Sequence, residues 1–153
     1  MKNEEIKRFF DEKVPRNWFS SISVDFDGDE IWCVGELPAD VKVEEFREST
    51  RAERMGVAEA AEDLFRRKVS WGVSRDGVTT LFTHLSTPVM TRLRLRERAV
   101  LDTLIESGVA RSRSEALAWC VKLVGRHETE WLAELREALA GVESARTAGP
   151  SVS

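Results

Sequence analysis

Val89-Met90-Thr91-Arg92-Leu93-Arg94-Leu95-Arg96 alternates basic and apolar residues in its second half. In an extended strand, neighbouring side chains point to opposite faces. Arg92, Arg94 and Arg96 would then share one face, with Thr91, Leu93 and Leu95 on the other. A short basic ribbon with an apolar back suits an anionic surface, and nucleic acid is the leading candidate. A single ribbon leaves unpaired edges and an uncovered back, so this reading predicts a homodimer.

Charge is segregated around this stretch. Residues 89–126 hold eight Lys/Arg against four Asp/Glu. The whole chain of 153 residues carries a net charge of −4, so its acidity lies in the flanking segments. Uniform basicity cannot drive binding to an anionic polymer here; a local patch can.

Beyond the ribbon, Val100, Leu101, Leu104, Ile105 and Val109 mark an amphipathic helix ending near Gly108. Ser112-Arg113-Ser114-Glu115 fits a capping box opening a second helix, whose bulky residues are Leu117, Trp119, Val121 and Val124. A third helix, about 128–142, presents Trp131, Leu132, Leu135 and Leu139. Residues 144–153 read as a disordered tail.

Upstream, Ile6, Phe9, Phe10 and Val14 mark one side of a short helix that Pro15 stops. Two hairpins are signalled by Asp27-Gly28 and Asp76-Gly77. In the second, Val69, Trp71, Val73, Val78, Thr80 and Phe82 fall on one face. Between them the spacing of Val43, Phe46, Thr50, Val57, Ala61 and Leu64 predicts one long helix, about Val43 to Lys68, with pairs Glu62/Arg66 and Asp63/Arg67. The fold class is α+β. A ββαββ-like small sheet with a packed helix occupies residues 1–88, and a second domain spans 89–143.

Ribbon, helix, glycine turn and Ser-x-Ser-Glu helix start follow one another in residues 89–126. This segment, a quarter of the chain, resembles the ribbon-helix-helix family of DNA-binding proteins. It does so through Thr91 to Arg96, Gly108 and Ser112-Arg113-Ser114-Glu115. It differs in having 88 residues before the ribbon and an extra helix after the motif. The resemblance implies that two ribbons pair antiparallel and enter the major groove of double-stranded DNA. Arg92, Arg94 and Arg96 would contact bases. Arg111, Ser112, Arg113 and Ser114 would meet backbone phosphates at the helix N-terminus. A sequence-specific transcriptional regulator is the expectation. The alternative is a protein-interaction module or antitoxin-like partner-binding protein. Structurally, the competing reading makes 89–96 one more strand of the N-terminal sheet, its arginines simply solvated.

Other signals point to bland roles. Residues 25–36 have the acidic spacing of a calcium loop, but Glu30 stands where that loop requires glycine, so a hairpin turn is preferred. Arg47, Arg51 and Arg54, interleaved with glutamates, read as a salt-bridged solvated face. Cys33 and Cys120 read as buried thiols, and the tryptophans as core. His84 and His127 have no partner at catalytic or metal-ligand spacing. No phosphate loop or nucleophile motif is present, so no enzyme, metal or cofactor is expected. The absence of a signal-peptide core or a bilayer-length apolar run predicts a cytoplasmic protein without membrane contact.

Overall fold

Ile6, Phe10 and Val14 recur every fourth residue and are all buried, which places α1 (Lys2–Lys13) with one face on a sheet. In this computed structural model residues 2–151 are described. The chain divides into two compact units, residues 1–89 and 90–153.

The first unit continues with β1 (Ile22–Phe26), β2 (Glu30–Glu36), α2 (Val43–Ser49), α3 (Arg51–Phe65), β3 (Lys68–Arg75) and β4 (Val78–Leu81). The strands form one sheet in sequence order. Both outer pairs are antiparallel, whereas β2 and β3 run parallel with Cys33 opposite Trp71. The helices α2 and α3 supply the crossover that a parallel pair requires.

Both Asp-Gly hairpins form, by different chemistry. Asp76 and Gly77 take φ of 52° and 77°, the two positive values of a tight two-residue turn. At the first turn, one Asp27 carboxylate oxygen accepts from the amides of Asp29 (2.8 Å) and Glu30 (2.9 Å). Those bonds hold the Asp27 carboxyl below the usual carboxylate range.

The expected face of the second hairpin is present, and Trp71, Val73 and Phe82 are buried on it; Val78 and Thr80, on the outer strand, are exposed. Aromatic edges knit the core. Trp18 meets Phe46 at 5.8 Å and 90°, and Phe10 meets Trp71 at 6.0 Å and 75°. Cys33 is fully enclosed, and burial pushes its thiol up to about 12.

The single helix expected over 43–68 is broken at Thr50 (φ −102°, ψ 1°) and ends at Phe65. The buried Thr50 hydroxyl donates to the Phe46 carbonyl at 2.6 Å, a side-chain bond to the i−4 carbonyl of the kind that bends helices. Arg54 then donates from Nε to that hydroxyl at 3.0 Å and from Nη2 to the Arg47 carbonyl at 2.7 Å. Its guanidinium lies 4.8 Å from the centre of the Phe82 ring. Arg54 is therefore a buried brace for the break, not part of a solvated face, and burial lowers its pKa. Arg51 does pair with Glu48 on the surface. At the far end Arg66 adopts a left-handed conformation, so Glu62 pairs with Lys68 instead of Arg66.

The second unit holds α4 (Leu95–Glu106), α5 (Arg113–His127) and α6 (Thr129–Ala148). Its core is small: Leu101, Ala110 and Ala116, flanked by partly buried Leu93, Leu104, Ile105, Leu117 and Cys120. Two expectations fail here. Residues 144–148 are helical, because the glycine that ends the pattern is Gly149, leaving 149–151 irregular; Val152 and Ser153 lie outside the described residues. Trp119 and Trp131, like Trp32 in the first unit, are exposed and not core.

Candidate nucleic-acid interface

The strand expected over 91–96 is not formed. Residues 83–94 have no regular structure, and 84–93 make no backbone–backbone hydrogen bond among the described residues. A strand exists only through a neighbour, and this segment has none among the described residues. It has not joined the N-terminal sheet either, which ends at β4.

The side-chain alternation survives for three residues. Arg92 and Arg94 are exposed, while Leu93 between them packs against the core of the second unit. Arg94 is extended (φ −85°, ψ 176°), and α4 starts at the next residue. Arg98 anchors the entry, donating from Nη1 to the Leu93 carbonyl at 2.6 Å. Arg96 lies in the first turn of α4, so it does not share a ribbon face with Arg92 and Arg94. Helical spacing has replaced strand alternation from Leu95 onward.

After α4 the chain reverses at Gly108, whose φ of +82° suits glycine. Val109 and Ala110 both donate to the Leu104 carbonyl, at 2.9 and 3.1 Å. Then comes the capped start of α5. The Ser112 hydroxyl accepts from the Glu115 amide at 3.1 Å, and the Glu115 carboxylate accepts from the Arg111 amide at 2.8 Å. Arg111, Ser112, Arg113 and Ser114 are thus gathered at one exposed helix start.

Arg113 is engaged from within. Its guanidinium binds both Asp102 carboxylate oxygens at 3.0 Å, joining α5 to α4. That pair holds Asp102 below the usual carboxylate range and raises Arg113. Asp102 is the site residue that sequence reading missed. It lies 11 positions from Arg113, a separation that only the helix–turn–helix closes. By helical phase Asp102 shares a face of α4 with Arg98 and Ala99, at i+4 and i+3, so no local signal pointed to Arg113.

Among the described residues no group of His, Cys, Asp or Glu is arranged to hold a metal ion. No helix among them is long and apolar enough to cross a membrane.

Two family models match the chain. Residues 4–81 match the Rv1265-like protein, N-terminal domain, and residues 94–146 match the Mb1296 C-terminal domain. All of the irregular segment except Arg94 lies between the two matches. Over 157 aligned residues the chain is 48% identical to the Mycobacterium tuberculosis (strain H37Rv) protein Rv1265, and equally to the Mycobacterium bovis protein Mb1296. Each alignment covers 94% of this chain and 70% of the relative. No solved structure matches. With one matched domain in each compact unit, and near-half identity across almost its whole length, the chain belongs to the Rv1265-like family.

Proposed function

We propose that the second unit binds double-stranded DNA in a sequence-specific manner, as a homodimer acting in transcriptional regulation. The observation that supports this reading most is the irregular, unpaired segment before α4, extended at Arg94, with Leu93 turned to the core and Arg92 and Arg94 exposed to solvent. Two such segments pairing antiparallel would satisfy each other's amides and carbonyls. The resulting two-stranded ribbon has the dimensions of the major groove. Arg92 and Arg94 are then the base readers, since an arginine fork can bridge guanine O6 and N7. Arg96, carried by α4, drops out of that set. Arg111, Ser112 and Ser114 serve a backbone phosphate at the start of α5, and Arg113, held by Asp102, orients that start.

The test is selection of duplexes from a randomised pool by the full chain, followed by binding titrations. A recovered consensus should bind with an affinity that falls steeply with salt. Arg92→Ala and Arg94→Ala should each narrow the gap between consensus and scrambled duplex by about 1–3 kcal/mol, roughly 5- to 150-fold. Failure to enrich any duplex at low salt refutes the proposal.

A further inference from the structure

α6 is 20 residues long and has no buried residue, and α5 buries only Ala116. Isolated helices gain little stability from propensity alone; a buried face supplies it. Here the apolar faces are present and uncovered. Trp131, Leu135, Leu139 and Val142 run along α6 at spacings of four, four and three, with exposures of 43–65%. Trp119 and Leu123, one turn apart on α5, are each 38% exposed. These six residues leave on the order of 600 Å² in water per chain, close to the ~800 Å² each partner gives a standard protein interface. Apolar surface of that extent lies at the upper end of what a monomer ordinarily leaves open.

α6 cannot cover itself by folding back on its own α5. Glu128 is the single residue between them, and helical bonding runs through it: its amide donates to the Val124 carbonyl, and Leu132 donates to its carbonyl, both at 2.9 Å. An antiparallel helix hairpin needs a loop of about 2–5 residues. The two helices are also opposite in charge. α5 carries Arg113, Lys122 and Arg126 against one acid, Glu115. α6 carries Glu130, Glu134, Glu137 and Glu143 against two arginines. α5 on α5 or α6 on α6 opposes like charges, whereas α5 on α6 is complementary, and a two-fold axis makes that contact twice.

We propose that a second copy of this chain covers this face, α5 of each protomer lying on α6 of the other. This interface goes beyond the DNA reading: it requires neither duplex nor ribbon pairing.

The experiment uses the full chain without DNA. Sedimentation equilibrium should give a dimer. Lys122→Glu/Arg126→Glu and Glu134→Lys/Glu137→Lys should each lower the mass toward the monomer, and mixing the two variants should restore the dimer, because each α5 then faces an oppositely charged α6 from the other. Carbodiimide cross-linking of mixed isotope-labelled and unlabelled wild-type chains gives a readout that needs no variant to fold. Interchain links from Lys122 to α6 glutamates are expected. A monomeric wild type, variants that stay fully dimeric, no restoration on mixing of folded variants, or Lys122 links confined to one chain or to residues 1–89 would each overturn the proposal. The DNA reading is separable: Arg92→Ala/Arg94→Ala should keep the dimer mass while losing sequence discrimination, and a dimer that ignores every duplex removes the DNA reading alone.

Discussion

Thr50 and Arg54 show how a single buried polar contact redirects a helix. Both fit the apolar–polar rhythm of one long helix, and neither is a strong breaker. The break exists because the Thr50 hydroxyl reaches back to Phe46 and is itself held by Arg54 against the Phe82 ring. Thr50→Val should therefore cost about 1–3 kcal/mol in urea unfolding, since it strips buried Arg54 Nε of its acceptor, whereas Thr50→Ser should retain most of the stability. Equal stability of the two variants would deny the brace. Arg54 looked like a surface charge because its acceptor is a hydroxyl and a carbonyl, not a carboxylate. Asp102 escaped notice for the related reason that its partner, Arg113, is brought near only by a tertiary turn. The capping pair Ser112 and Glu115 was readable, because its bonds span four residues or fewer.

Among the elements, the hairpins and α1 are the most locally specified. Asp76-Gly77 supplies its own turn, and Pro15 follows the last turn of α1 closely. The centre of the sheet is different. β2 and β3 pair parallel through a crossover of two helices, and the packing at Gly35 makes that centre intolerant of change. A methyl placed on Gly35 would lie 2.1 Å from the Phe19 ring, whereas one on Gly28 would meet nothing within 4 Å. Gly35→Ala should lower stability by about 1–3 kcal/mol or more through displacement of Phe19, and Gly28→Ala should stay within about 0.5 kcal/mol of wild type. Thermal unfolding compares them directly; equal melting temperatures would contradict the packing. Residues 91–96 illustrate the opposite case. Their alternation has the period of a strand, yet α4 claims Leu95 and Arg96, and the remainder is left irregular, with no backbone partner for residues 91–93 among the described residues.

At the scale of the whole molecule, the chain divides into two compact units, and the irregular segment at their boundary in sequence carries two exposed arginines. Trypsin should cut first after Arg92 or Arg94 and leave an N-terminal fragment that remains folded, because its aromatic core lies wholly within residues 1–89. First cuts within α2 or α3 would contradict that division. Residue order alone was enough to place the apolar stripes, the turn residues, the helix cap and the concentration of positive charge in 89–126, since each depends on neighbours a few positions apart. The parallel pairing of β2 with β3, the break at Thr50, the Arg113–Asp102 clamp and the unpaired state of the arginine segment emerged only in the assembled fold. Each depends on atoms brought together from distant positions, or on the absence of a neighbouring strand, and neither is written in local periodicity.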